Sequence, residues 1–367
     1  MKTLCNCTRV GPLRVKGASI VIRTLSFLGA AITGIVAAGT LAGCGTAGGT
    51  AGASVSQLEQ GTIIVDSVPA AEEGGLYVAQ QRGFFKQQGL NVKINSITGG
   101  EAGIPDLQTG RAQLVAGNYV SFILAQMAGK FGATPQAVQP VSMRIIAAGS
   151  EIQPGTEALY VMPHSKYQTV AELAKAHARV GLNTPNDIGD VMMGSLLGEN
   201  GYKLSSIRQV TPKAGFPALV AMLPAGQVDA AWLPQPLAEI AEQEYGAVPI
   251  ADFDQGSVQG FPFTGYIGTT QWVKKHPNTV AAFLRALDEG QRLADTDRSA
   301  VETAMEKYTG ITPIIADTMA IDTYPLEMDV PQLQRVADSM YEFGLTGRAS
   351  APYRISKMIQ PEPGLIK

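Results

Sequence analysis

Cysteine is nearly absent from this chain: three in 367 residues, at positions 5, 7 and 44. Three cysteines cannot build a disulfide scaffold. Histidine is as sparse, at 164, 177 and 276, and no HExxH, Cys-x-x-Cys or EF-hand spacing occurs, so neither a metal site nor a cofactor is expected. No G-x-S-x-G elbow or P-loop is present. Charge is scarce too. Charged residues make up 16%, against about 25% in an average globular protein. The 28 basic and 31 acidic residues leave a net charge of -3 with no basic stripe, which excludes a typical nucleic-acid binder. What the chain has is apolar content, 45%, and length enough for one large domain or two ordinary ones.

Residues 1–43 carry Lys2, Arg9, Arg14, Lys16 and Arg23 but no acid, and 24–40 are small and apolar. A positive segment followed by an apolar one is the order of a secretory signal. Leu41-Ala42-Gly43-Cys44 then resembles a bacterial lipobox. That resemblance implies cleavage before Cys44 and attachment of lipid to its thiol, giving an extracytoplasmic protein anchored without a membrane span. The processed chain would hold 324 residues, with 23 basic against 31 acidic. It would have no free thiol, which excludes a catalytic cysteine. Residues 44–60, rich in Gly, Ala, Ser and Thr, read as a flexible tether.

Beyond the tether, short β-branched runs alternate with helical patterns. The runs are 62–65, 92–97, 114–117, 144–148, 158–162, 180–182, 207–210, 228–232 and 266–270. Leu76, Ala79 and Gly83 share a helical face, as do Val280, Phe283, Leu284 and Leu287, and Leu333, Val336, Met340 and Phe343 after Pro331. Such alternation predicts an α/β fold with largely parallel sheets and a mostly helical last hundred residues. Leu107-Gln-Thr-Gly110 before one strand is echoed by Leu223-Pro-Ala-Gly226 before another, 116 residues on. Either the chain holds two similar lobes or a common helix–glycine–strand unit recurs by chance.

Residues 75–94 (GLYVAQQRGFFKQQGLNVKI), 107–117 (LQTGRAQLVAG), 225–242 (AGQVDAAWLPQPLAEIAE) and 264–287 (TGYIGTTQWVKKHPNTVAAFLRAL) carry a family resemblance. In order and spacing they resemble bacterial ABC-transporter solute-binding proteins of the nitrate, sulfonate, taurine and thiamine-pyrimidine group. The resemblance implies a two-lobed periplasmic-binding-protein fold of type II, with two crossovers and a ligand cleft between the lobes. Lobe one would take 61–158 and 264–367, lobe two 159–263. The segment from Arg354 onward is either a loose tail or packs on lobe one.

Ligands of open α/β sheets lie beyond the carboxyl ends of the strands, which places the candidate contacts. Ser67 offers a hydroxyl after the first strand, or caps the next helix. Glu72 and Glu73 either complement a helix dipole or face the cleft. In the cleft they argue against nitrate and for amine or ring N–H groups. Gly99 and Gly100 permit positive φ and close ligand approach, or form a plain turn. Asn118 can hydrogen-bond a ligand. Tyr119 can stack on a ring or pack on Phe122. Thr184 and Asn186 are polar contacts or caps in the loop where the sulfonate and nitrate binders carry small hydroxyl residues. Asp187 and Asp190 depart from that pattern, because a carboxylate at a helix start competes with a bound anion. Trp232 and Tyr266, with Phe261 and Phe263, line the cleft or fill cores.

The resemblance implies delivery of a small polar organic solute, sulfonate- or taurine-like or a pyrimidine vitamin precursor, to an ABC permease and ATPase. The aromatic and acidic residues favour a neutral or amine-bearing ligand, a heterocycle among them. The protein is expected to be a monomer that performs no covalent chemistry. A lipid-anchored sensor or interaction protein on the same fold is an alternative. So is an enzyme resembling thiamine-pyrimidine synthases. Those, however, use a cysteine-rich segment and an active-site histidine, and the processed chain keeps Cys44 alone.

Overall fold

The computed structural model describes residues 57–131 and 142–359. The signal, Cys44 and most of the tether lie outside the described residues. In chain order the first part comprises β1 (Thr62–Ser67), α1 (Gly74–Arg82), α2 (Phe84–Gln87), β2 (Asn91–Ser96), α3 (Gly100–Thr109), β3 (Leu114–Asn118), α4 (Tyr119–Phe131) and β4 (Met143–Ala148). The middle comprises β5 (Glu157–Val161), α5 (Val170–Lys175), β6 (Arg179–Gly181), α6 (Ile188–Glu199), β7 (Arg208–Val210), α7 (Phe216–Met222), β8 (Ala230–Pro234), α8 (Leu237–Tyr245) and β9 (Val248–Asp252). The last part comprises β10 (Thr264–Thr269), α9 (Thr270–Lys275), α10 (Pro277–Thr296), α11 (Arg298–Thr309), α12 (Pro313–Thr318) and α13 (Val330–Glu342).

Two five-stranded sheets result, ordered β2-β1-β3-β10-β4 and β7-β6-β8-β5-β9. Hydrophobic patterning explains the order. The central strands β3 (LVAGN) and β8 (AAWLP) are buried at all five positions, as continuous apolar runs covered on both faces must be. The edge strands β2 and β9 are partly exposed. β9 had no forecast in the sequence; its V-P-I-A-D run carries an internal proline, which suits its place at the sheet edge.

The sheets are mixed rather than largely parallel. β1 pairs in parallel with β2 and β3, while β10 runs antiparallel to β3 and β4. In the second sheet β6 pairs in parallel with β7 and β8, and β5 runs antiparallel to β8 and β9. The antiparallel member of each sheet is a strand that has crossed from the other. β10 returns to the first sheet after the whole second sheet is built, and β5 enters the second directly after β4.

The two orders are the same order. β3 (114–118) and β8 (230–234) lie 116 residues apart, and so do the starts of α3 at Gly100 and α7 at Phe216. The short Leu-x-x-Gly echo therefore marks a repeat of the β–α–β–α–β unit. In both copies the glycine takes positive φ, 72° at Gly110 and 64° at Gly226, as it must to stop the helix and enter the strand.

The helices fill in around this frame. Val280, Phe283 and Leu287 of α10 are buried in the first lobe's core, where Phe283 stacks on Phe85. Gly83 is not on the helical face expected of it; it takes φ 76° and ends α1. Residues 57–60, expected to belong to the tether, are held instead. The Glu59 carboxylate accepts the N–H groups of Asn278 and Thr279, capping α10. At the other end, residues 355–359 pack on the first lobe, where Ile145 N–H donates to the Met358 carbonyl.

Candidate functional site

A narrow pocket opens at the carboxyl ends of the parallel strands of both sheets. Val68, Glu72, Gly99, Gly100, Asn118 and Phe263 line it from the first lobe; Asn183, Ile188, Phe216 and Trp232 line it from the second. Each side is built the same way. The loop after the first strand supplies Val68 and Glu72, or Asn183 and Ile188. The start of the second helix supplies Gly99 and Gly100, or Phe216. The third strand supplies Asn118 or Trp232.

Of the nine ligand contacts expected from the sequence, four line this pocket: Gly99, Gly100, Asn118 and Trp232. Thr184 lies beside it and donates to Glu101 Oε1 at 3.1 Å. Ser67 is buried at the end of β1 and donates its hydroxyl to the Val68 carbonyl, so it neither caps a helix nor lines the pocket. Asn186 is exposed, with φ 55°. Tyr119 packs edge-on against Phe122 and borders a separate pocket with Ser150, Glu151 and Gln332. Tyr266 lies in the first lobe's core, edge-on to Phe283. Phe261 is also core, with Arg335 over its ring.

The glycines serve a purpose other than positive φ. Gly99 is extended at φ 177°, open to any residue. A Cβ on Gly100 would stand 3.4 Å from Asn118 N, and one on Gly117 only 2.8 Å from Gly100 Cα. The pair lets the start of α3 lie against the end of β3, and so forms one wall of the pocket.

Hydrogen bonds join the two lobes around the pocket. Asn118 Nδ2 donates to Asp187 Oδ2 at 3.2 Å, and Ser121 Oγ donates to Asp187 Oδ1 at 2.9 Å. Ala71 N–H donates to the Gln235 carbonyl at 3.1 Å. Two helix starts are served from within the chain. Asp190 accepts the Asp187 N–H at α6 (3.1 Å), and Asn118 Oδ1 accepts the Ser121 N–H at α4 (2.9 Å). Asp187 thus bridges lobes as well as occupying a helix start.

The aromatic wall is fixed. Trp232 is fully buried, its Nε1 donates to Glu157 Oε2 at 2.5 Å, and Phe216 and Phe253 meet its ring edge-on. A Cβ on Gly189 would stand 2.7 Å from the indole, so that glycine makes room for it.

The NMT1/THI5-like family profile matches residues 71–297, 227 of the 367 residues. The chain belongs to the NMT1/THI5-like family. No curated protein sequence gives a significant match. Among solved structures, the alkanesulfonate-binding protein SsuA from Xanthomonas axonopodis pv. citri, bound to MOPS, is similar at TM-score 0.67 and 16% identity. The similarity covers 83% of this chain and 99% of that one. The periplasmic aliphatic sulphonate-binding protein SsuA of Escherichia coli gives 0.64 and 18%, covering 83% and 93%. The periplasmic nitrate-binding protein NrtA of Synechocystis PCC 6803 gives 0.68 and 14%, covering 80% and 84%. The fold is that of the two-lobed periplasmic binding proteins.

In this NMT1/THI5-like chain the electrostatics of the cleft are one-sided. Among the described residues no lysine, arginine or histidine lines the pocket. Glu72 does, and burial, then the charge of Asp322, pushes its carboxyl up to about 8. Burial likewise raises Asp322 and, with Glu101 nearby, Asp187, each to about 7. Glu73 and Glu157 are driven well above the usual range, by burial first and by Glu72 second. Val68, Glu72, Asn183, Ile188, Phe216 and Phe263 complete the lining beyond the expected contacts. The 116-residue offset connects two of them to the other lobe: it carries Glu72 onto Ile188 and Gly100 onto Phe216. Among the described residues no group of His, Cys, Asp and Glu is arranged to hold a metal ion.

Proposed function

We propose that this protein is an extracytoplasmic solute receptor that captures a small polar organic solute and delivers it to an ABC permease and ATPase. The observation that carries the reading is the shared pocket. Equivalent loops of two repeated lobes converge on one cleft at the carboxyl ends of their strands, where α/β sheets hold ligands. A solute touching both lobes has differential affinity for the closed state, and hinge closure follows from that. Family membership and the similarity to sulfonate- and nitrate-binding proteins support the role. The reading assigns no covalent chemistry to the chain.

Three further assignments belong to this reading. The lobes divide within 149–156 and 253–263, the segments that pass between the two sheets. The contacts are Gly99, Gly100, Asn118 and Trp232 with Glu72, Asn183 and Phe216. The lipobox at 41–44 anchors a monomer by lipid on Cys44, and no described helix is long and apolar enough to cross a membrane. Metabolic labelling with a palmitate analogue tests the anchor: the wild-type chain takes the label and Cys44→Ala does not. Labelling of both, or of neither, removes the anchor from the account.

A further inference from the structure

The relatives named above bind anions, sulfonates and nitrate. This pocket is built for the opposite charge. Two of its lining residues end in buried acceptors without a hydrogen-bond partner, Glu72 Oε2 and Asn183 Oδ1. Both side chains are more than nine-tenths buried. An unpaired buried acceptor is costly, and the charge felt by Glu72 from its neighbour Asp322 has the same sign. Among the described residues no lining side chain offers a positive charge. At the start of α6 the Asp187 N–H is taken by Asp190, whose carboxylate holds the place an anion would take. The remaining walls are apolar or aromatic: Val68, Ile188, Phe216, Trp232 and Phe263.

We propose that the cleft takes a compact organic cation, an ammonium or amidinium group with at least two N–H donors on an apolar or aromatic body. Glu72 is its counter-ion and Asn183 Oδ1 its second acceptor. In this arrangement the cleft leaves room for little more than a water molecule, so the lobes part to admit the ligand. Aromatic faces beside a desolvated cation add attraction of their own. A sulfonate or nitrate in the same place would lie against Glu72 with no cationic side chain in the described lining to meet it. The proposal rests on the solute-receptor reading and narrows it to a ligand class.

The test is a thermal-shift and calorimetric panel on the full chain. Benzamidine, phenethylamine and agmatine serve as cations, benzamide as the neutral counterpart of benzamidine, and benzenesulfonate, methanesulfonate and nitrate as anions. At least one cation should raise the midpoint by several degrees, with benzamide and the anions inert. Glu72→Gln should weaken that cation about tenfold or more, while Asn183→Ala, a second and independent variant, should weaken it less. Binding of an anion in place of the cations would overturn the ligand class and leave the receptor reading standing. Cation affinity unchanged in Glu72→Gln would overturn the counter-ion assignment. A panel inert throughout, on protein folded by circular dichroism, would overturn the proposal and leave the receptor reading standing for a solute of another class.

Discussion

At the scale of single residues, the pocket depends on places where nothing larger than glycine fits. Gly100 and Gly117 bring a helix start and a strand end into backbone contact, and Gly189 leaves room for the Trp232 ring. Gly117→Ala should destabilise the chain by about 1–3 kcal/mol, because its new methyl meets backbone that cannot swing aside. Urea denaturation measures this; an unchanged midpoint would mean that the two elements separate freely. Glycine was legible in the sequence as a sign of close approach; at Gly100 and Gly117 what approaches is backbone. Tyr266 shows a different limit. Its place on the return strand was legible, yet the side-chain alternation along β10 puts it in the core, while Phe263, just before the strand, reaches the pocket. A residue's strand and its face are separate facts, and one step in register exchanges them.

At the scale of elements, the repeat was more legible than its two glycine echoes suggested. Applying the same offset of 116 to Glu72 and Gly100 arrives at Ile188 and Phe216, two lining residues that no motif marked. Contacts across the lobes were not legible, because nothing in sequence links Asn118 to a carboxylate 69 residues away. The start of α6 illustrates this: Asp187 was readable as a bar to anions, and it also accepts hydrogen bonds from Asn118 and Ser121 of the opposite lobe. Asp187→Ala should open the ligand-free cleft, since both donors lose their acceptor. Small-angle scattering should then show a larger radius of gyration than wild type; an unchanged radius would place the closing force elsewhere.

At the scale of the whole molecule, the buried acids set how stability responds to pH. Glu72 titrates ordinarily near 4.5 and in the fold at about 8; Asp322 and Asp187 move from 3.8 to about 7. The folded protein therefore holds protons that the unfolded chain releases. The stability they confer is fully present below the ordinary values and is lost as pH rises through the folded ones. The thermal midpoint of the ligand-free protein should fall between about pH 5 and pH 8.5, with Glu72→Gln flattening part of that slope. A midpoint rising over this interval would contradict the burial of uncompensated carboxyls. The fold class was legible because hydrophobic runs, helix stops and spacing all pointed one way. The charge character of the cleft was legible in part, from Glu72, Glu73, Asp187 and Asp190. That Glu72 reaches the pocket needed the fold.

The central claim is that a small solute occupies the cleft between the lobes. Native mass spectrometry of the full chain, purified gently from cells, tests it most directly. The account predicts a non-covalent adduct of small-molecule mass that denaturation releases. Trp232→Ala should lose the adduct, and Tyr341→Ala, a change at an exposed ring far along the chain, should keep it. A bare mass in the wild type, or an adduct that survives Trp232→Ala unchanged, would contradict it.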